Sequence, residues 1–287
     1  MSTTKIEDVQ GQIQKAWSKL SMKQLRSQIL LPELINKDYQ GDIKKEMDTV
    51  YVTTYETPRN KIRTVGVDAD TFDTKKLKTV TVPIVADKRA VSGHKFSELV
   101  DIQSIVDPRN NPDIRQNMLY DIANQINDLC YELIAPSQAA PVHEIVLANL
   151  ASDDLLSVRG LAANAKWNRF KPWNILAASN YYNDVLGDSV LASTEYGATD
   201  IPTIGGQLAK PRYGFNVFED TTDGLGLNTG IAFHPDFMAL VMQTEIRFKV
   251  SDLHAIGQFG YSLTADVILG AKQLNEGDKK VIKFTTA

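Results

Sequence analysis

The sequence has few of the residues on which disulfide-stabilised proteins and metal enzymes depend. Its 287 residues include one cysteine, Cys130, and four histidines. One cysteine excludes an intrachain disulfide and a cysteine-based metal site. The histidines form no H-x-x-x-H or H-E-x-x-H pair, and no G-x-S-x-G segment is present. We therefore predict no catalytic residue, no cofactor and no metal ion.

Long apolar runs and a large charge of one sign are also missing. No stretch approaches 18 consecutive apolar residues, and the polar residues 1–14 do not resemble a signal peptide, so we expect no membrane association. The formal net charge is −4, whereas a protein that wraps DNA usually carries a large positive excess. With 43% hydrophobic residues, the chain can form one elaborate domain or two smaller ones.

The clearest helical pattern covers residues 112–135. Asn111 is a suitable N-cap, and Pro112 fits the first helical position. Apolar residues then recur in steps of three and four, from Ile114 through Met118 and onwards, which predicts a helix with one buried side. Cys130 lies beside that stripe and is predicted to be a core residue.

The N-terminal residues 5–30 predict a helical arm with too few apolar residues to fold alone. Its best candidate for a contact is Trp17, because tryptophan is favoured at the centres of interfaces. Two interpretations stay open. Trp17 packs either on a neighbouring subunit or within its own subunit.

A long hairpin is predicted between two strand-like segments, residues 47–56 and 79–86, which are rich in β-branched and aromatic residues. Residues 57–78 between them are polar and charged, and so long a loop is uncommon in a compact domain. We predict that the hairpin rests on a neighbouring subunit, with a solvated loop as the alternative. The predicted inter-subunit contacts are Trp17, Arg59, Lys61, Arg63, Asp70, Asp73, Lys75 and Lys76.

The remainder of the chain alternates between helices and strands. Predicted helices cover 153–165, 179–186 and 235–242. Predicted strands cover 173–178, 213–219, 230–233, 245–250, 255–269 and 279–285. His234 and Asp236 could contribute two metal ligands, although two such residues at a helix start are common. The aromatic residues of this region pack a core or line a pocket, and they are Trp167, Phe170, Trp173, Tyr181 and Tyr182.

Four short stretches resemble segments of one protein family. Leu34–Gly41 resembles the V-N-R-D-Y-E-G approach to a long hairpin, and Tyr213–Val217 resembles a G-F-x-V strand. Gly230–Phe237 resembles an A-F-H-x-x-A helix start, and Ile268–Lys272 resembles an L-Y-G-x-K strand end. In this order and spacing, they resemble the Hong Kong 97 fold of the major capsid proteins of tailed bacteriophages.

The resemblance implies an α+β chain with a Hong Kong 97-type capsid fold over essentially its whole length. Its parts would be an N-terminal arm, a long E-loop hairpin, a P-domain with a spine helix, and a mixed A-domain. The implied boundaries are 1–42 for the arm, 43–90 for the E-loop, 91–144 for the P-domain with its spine helix at 112–135, 145–240 for the A-domain, and 241–287 for the closing strands of the P-domain.

The resemblance also implies a function. The protein would self-assemble into hexamers and pentamers of the icosahedral head shell, with packaged double-stranded DNA as a weakly contacted neighbour. Separate scaffolding and portal proteins, and a decoration protein, would be further partners. The protein would belong to the virion after assembly in the bacterial cytoplasm. The alternatives are an encapsulin-like shell protein of a cellular compartment and a cytoplasmic α+β enzyme that uses Asp, Glu and His.

Overall fold

Three β-sheets, with two, four and seven strands, and one long helix organise the part of the chain that the structure describes. The structure is a computed structural model, and it describes residues 29–39, 47–56, 76–98, 111–134, 143–168, 170–192, 203–204, 207–208, 211–222, 224–226, 229–243, 246–253, 258–274 and 277–285. No helix within these ranges is both long enough and apolar enough to span a membrane.

The predicted hairpin strands are confirmed, and they follow a short helix, α1 (Leu31–Leu34). Strands β1 (Thr49–Glu56) and β2 (Lys78–Val85) pair antiparallel, with Thr49 opposite Val85 and Glu56 opposite Lys78. The loop between them and the predicted helical arm before residue 29 lie outside the described residues.

The predicted long helix is confirmed as α2 (Pro112–Glu132), three residues shorter at its C-terminal end than expected. The Asn111 side chain accepts a hydrogen bond from the Asp113 backbone N–H, which satisfies one of the free donors of the first turn. Met118, Ile122 and Cys130 on its buried stripe are at most 1% exposed. Burial raises the pKa of the Cys130 thiol to about 12, as expected of a core cysteine.

The buried stripe of α2 packs on a four-stranded sheet. This sheet contains β3 (Lys88–Ser97), β10 (Met238–Met242), β11 (Arg247–Asp252) and β12 (Gly260–Gln273). The long strand β12 is central, with β3 along one edge and β11 followed by β10 along the other. Leu263, Ala265 and Val267 of β12 face the α2 side and complete this core.

Three elements of this sheet differ from the sequence-based expectation. Strand β12 begins five residues later and ends four residues later than the predicted strand 255–269. The helix predicted for 235–242 is wrong, because only Pro235–Phe237 form a 3-10 turn and the next five residues are strand β10. The apolar residues of β10 gain backbone hydrogen bonds by pairing with β12, a partner that local patterns do not reveal. Strand β3 was not predicted, since its polar sequence alternates only weakly.

A seven-stranded mixed sheet forms the second layer. Its order is β4 (His143–Val146), β13 (Val281–Thr285), β9 (Thr229–Phe233), β5 (Trp173–Ala178), β8 (Phe215–Asp220), β7 (Gln207–Leu208) and β6 (Thr203–Ile204). The predicted strands of this sheet are confirmed to within two residues at each end.

Helices cover one face of the seven-stranded sheet. They are α3 (Ser152–Asn164), α4 (Ser179–Gly187) and the short α5 (Ser189–Ala192). Ile175 and Ala177 of β5 pack with α3 and α4, whereas Leu176 points to the opposite face and joins the α2 core. All six residues of β5 are therefore buried, as the continuous apolar run in its sequence indicates.

Ala178 occupies the N-cap position of α4, and the hydroxyl of Ser179 in the first turn donates to Glu219. The aromatic residues of this layer were predicted to pack a core or line a pocket. The aromatic residues Trp167, Trp173, Tyr181 and Tyr182 are buried in the core. Phe170 is the exception, because it is 98% exposed.

Candidate functional site

The eight predicted contact residues lie almost entirely outside the described ranges. Lys76 is described, and it is exposed two residues before the start of β2. The positions outside the described residues are Trp17, Arg59, Lys61, Arg63, Asp70, Asp73 and Lys75. Their contacts with a neighbouring subunit stay a prediction, and the described surface must be considered by itself.

The base of the β1–β2 hairpin is fixed to the four-stranded sheet. Val52 and Ile84 pack against Ala239, Val241 and Ile268 in a small core of their own. Lys272 Nζ also donates to the Pro83 carbonyl at 3.1 Å. Gly270 lies so close to the backbone of β2 that a side chain there would overlap the Val85 carbonyl. The hairpin therefore leaves the body in a defined direction, because its base is held by packing and by hydrogen bonds.

The outward face of the hairpin is exposed and carries no charge. Alternation places Tyr51, Thr53 and Tyr55 of β1 on this face, opposite Pro83, Thr81 and Thr79 of β2. Tyr51 is 67% exposed and Tyr55 is 64% exposed. This face was not predicted from the sequence, although the alternating tyrosines of residues 51–55 indicate it.

A second exposed surface is the face of the four-stranded sheet that points away from α2. Alternation places four basic side chains on it, two from β3 and two from β11: Arg89, Lys95, Arg247 and Lys249. The one acidic side chain on this face of the three paired strands is Asp266 of β12. We call this surface the basic sheet face.

Asp266 of β12 accepts hydrogen bonds from side chains of β3 and β11, so it links the three strands that form the basic sheet face. Arg89 Nε donates to its carboxylate at 2.9 Å, and Arg247 donates to it at 2.6 Å. Burial alone would raise the pKa of Asp266, but the hydrogen bonds from the two arginines outweigh burial and hold the pKa below its usual value. Lys95 and Lys249 are not used in this cluster, so the face keeps a positive charge.

Strand β11 is an edge of this sheet, and all six of its residues are exposed. Within the described residues, it pairs with β12 alone. Phe248 is 40% exposed and Val250 is 53% exposed. An exposed edge strand with uncovered apolar side chains is a surface on which another chain can pack.

These features provide contact surfaces rather than reactive groups. The described residues contain no group of three or more His, Cys, Asp or Glu side chains that could hold a metal ion. The arrangement consists of an anchored hairpin with an uncharged outward face, a basic sheet face and an exposed edge strand. These surfaces are suited to contact with other macromolecules.

No protein-family model matches the sequence. No curated protein matches it either.

Solved structures do resemble the chain. The capsid structure of cyanophage P-SCSP1u matches with a TM-score of 0.68 and 11% identity, covering 100% of this chain and 95% of the other. The capsid of Ralstonia phage GP4 matches with a TM-score of 0.64 and 12% identity, covering 100% and 98%. The capsid asymmetric unit of cyanophage Pam1 matches with a TM-score of 0.63 and 15% identity, covering 96% of each chain.

These matches extend over almost the full length of both chains in each pair. They confirm the predicted mixed capsid fold for the chain as a whole. The predicted division into arm, E-loop, P-domain and A-domain stays a prediction. The chain has the fold of these phage capsid structures.

Proposed function

We propose that this chain is the major capsid protein of a bacteriophage, which self-assembles into the icosahedral head shell around double-stranded DNA. The proposal rests on how completely this chain and solved capsid chains match each other. The match with the capsid of Ralstonia phage GP4 covers 100% of this chain and 98% of the phage chain. Such coverage is expected when two chains are subunits of the same kind. The protein would act in the virion after assembly in the host cytoplasm.

The hairpin is the part of the molecule best suited to join two subunits. Its uncharged outward face exposes Tyr51 and Tyr55, and an isolated two-stranded hairpin is marginally stable in water. Contact with a neighbouring copy would bury the tyrosines and support the strands. Tyrosine combines a large apolar ring with a polar hydroxyl, so it is common at protein interfaces.

Charge complementarity suggests where the tip of the hairpin would lie. Residues 57–78 are basic overall, with six lysines and arginines against three aspartates, but the aspartates lie together at Asp68, Asp70 and Asp73. The basic sheet face keeps Lys95 and Lys249 free of the Asp266 cluster. We propose that the acidic part of the tip contacts the basic sheet face of a neighbouring copy. Exposed ion pairs stabilise by about 0–1 kcal/mol each. Many such weak contacts together would set the geometry of the shell, while a wrongly placed subunit could still dissociate.

The N-terminal residues would add an apolar contact between subunits through Trp17. We expect that deletion of residues 1–20 leaves a folded subunit that assembles poorly, because the arm contains too few apolar residues to form a core. Circular dichroism would report the fold and sedimentation velocity the assembly. Normal shells from the deletion variant would show that the arm is dispensable.

The packaged DNA would be a weakly held neighbour. With a net charge of −4, isolated subunits should bind DNA weakly and in a salt-sensitive way. Separate scaffolding, portal and decoration proteins would complete the particle. Submicromolar DNA binding at physiological salt would contradict this part of the proposal.

Size-exclusion chromatography combined with negative-stain electron microscopy tests the proposed function. Closed shells, or rings of five and six subunits, would support it. A protein that elutes as a monomer and shows no rings or shells at any concentration would contradict self-assembly of the chain by itself.

A further inference from the structure

A recess of about 330 Å³ lies away from the hairpin and the basic sheet face. Three segments form it: the C-terminal end of α3, the turn before β13, and the residue before the Pro235–Phe237 turn. Asn164, Lys166 and Asn168 line it from the first segment, Lys279 and Lys280 from the second, and His234 from the third.

The charge of this recess is positive. Three lysines line it, and none of the described residues in its lining is an aspartate or a glutamate. The nearby Asp236 carboxylate is held by Lys171 at 2.8 Å and by the Asn36 side chain at 2.9 Å, and it does not line the recess. An anion that enters would therefore meet cations without a competing carboxylate on the wall.

His234 forms part of the wall as a neutral side chain. It is 1% exposed, and its Nδ1 accepts a hydrogen bond from the Asp236 backbone N–H at 3.2 Å. The proton therefore lies on Nε2, which donates to Asn168 Oδ1 at 3.1 Å. This bond orients the Asn168 side chain. Within the described part of the chain, the Asn168 amide nitrogen has no hydrogen-bond partner, so it is available to a ligand.

Hydrogen bonds among the three segments hold the recess in shape. Trp167 Nε1 donates to the Lys279 carbonyl at 2.7 Å, and the His234 backbone N–H donates to the Lys280 carbonyl at 3.0 Å. Lys280 Nζ donates to the Asp236 carbonyl at 3.3 Å. A recess that is already formed needs little ordering when a ligand binds.

Lys166 occupies a position that favours glycine. Its φ is 60°, in the left-handed region. The Lys166 N–H donates to the Ala163 carbonyl and the Trp167 N–H to the Ala162 carbonyl, which is the Schellman ending of a helix. Glycine is usual at this position because a side chain there costs free energy. Among the described residues, the Lys166 ammonium has no ion-pair partner.

We propose that this recess binds a phosphate group, either free in solution or on a nucleic-acid backbone. The lysines supply charge, and the Asn168 amide supplies a directed donor. The volume holds a phosphate together with several waters, since one water takes about 30 Å³ in the liquid. The proposed site also explains why a lysine occupies the strained position 166, because from the end of α3 its ammonium can reach the ligand. This site is separate from the proposed shell contacts and does not depend on them.

Titration of the full-length protein with inorganic phosphate at constant ionic strength, followed by thermal shift, tests the proposal. Wild-type protein should show saturable stabilisation. Lys279→Gln should weaken phosphate binding roughly tenfold or more, because a charge-assisted hydrogen bond is lost. Lys88→Gln, which removes an exposed lysine from β3, is the matched control and should titrate like the wild type.

Lys166→Gly separates ligand binding from a structural role. Glycine relieves the left-handed strain, so this variant should melt at a higher temperature than the wild type without phosphate, and it should respond less to phosphate. A wild-type protein without saturable stabilisation would overturn the proposal. Lys279→Gln and Lys166→Gly variants that both titrate like the wild type would also overturn it.

A short double-stranded oligonucleotide identifies the source of the phosphate. If Lys279→Gln weakens oligonucleotide binding as it weakens phosphate binding, the ligand is a backbone phosphate. If only free phosphate is affected, the ligand is a small anion. Shell formation by the same variants, seen by electron microscopy, keeps the result distinct from the proposed capsid function.

Discussion

Replacing both exposed tyrosines of the hairpin with threonine should weaken assembly without unfolding the subunit. An aromatic side chain has roughly 200 Å² of surface, so exposures of 67% and 64% leave roughly 260 Å² uncovered on Tyr51 and Tyr55 together. If a neighbouring copy buries half of that area, the contact contributes about 3 kcal/mol per subunit at roughly 25 cal/mol per Å². Tyr51→Thr/Tyr55→Thr should therefore raise the critical concentration for assembly roughly a hundredfold.

Light scattering against protein concentration measures this shift, and urea unfolding of the unassembled subunit provides the stability control. The free energy of unfolding should change by less than about 1 kcal/mol, because both side chains are exposed and threonine is common in strands. Tyr51→Phe/Tyr55→Phe keeps the apolar area and should assemble nearly normally. Assembly of the threonine variant at the wild-type concentration would refute the argument that this face is buried between subunits.

Three further predictions concern the stability of the folded chain. Asp266→Asn should lower the free energy of unfolding by about 2–3 kcal/mol in urea titrations, because it removes the charge to which two arginines donate; an unchanged midpoint would contradict this role. The pKa of His234 in the folded protein is lowered, and burial is the main cause. The unfolded chain therefore protonates His234 at a higher pH than the folded chain does. The free energy of unfolding should fall as the pH drops below about 6.5. Urea midpoints of wild-type protein and of His234→Gln across this pH range measure the effect. If the midpoint changes with pH equally in both proteins, His234 is excluded as its cause. Gly230→Ala should destabilise by about 1–3 kcal/mol in thermal unfolding, because the added methyl group overlaps the Phe284 ring; a neutral effect would mean that the ring can move away.

The elements with a strong local signal could be predicted from the sequence. Helix α2 has a cap, a proline in its first turn and an apolar stripe, and all three act within a few residues. Strand β5 is a continuous apolar run, and its burial on both faces follows from its central place in the sheet. The prediction that Cys130 lies in the core is also confirmed, because Cys130 lies beside the apolar stripe of α2.

The errors arose where a distant partner decides the structure. Strand β10 was expected to be helical because Pro235 and Asp236 precede six apolar residues, 237–242, a sequence that suits either a helix or a buried strand. Pairing with residues 269–273 of β12 decides between them, and those residues are about thirty positions away. Strand β3 was missed for a similar reason, because its buried face includes Ser92 beside Ala90 and Phe96 and so gives little apolar alternation.

The candidate surfaces were less predictable than the fold. The sequence indicated that the hairpin is long and carries a charged tip, but its uncharged face becomes visible only when the register places Tyr51 opposite Pro83. The basic sheet face joins residues of β3 and β11 that are more than 150 positions apart. Likewise, no local pattern links Lys166 with Lys279, since the fold alone brings them to one recess.

A cryo-electron microscopy reconstruction of particles formed by the purified protein would show directly whether the chain forms a capsid shell. We expect a closed shell of rings of five and six subunits, in which Tyr51 and Tyr55 of each hairpin are buried against a neighbouring copy. A protein that stays monomeric at every concentration, or a shell in which these two tyrosines face solvent, would contradict it.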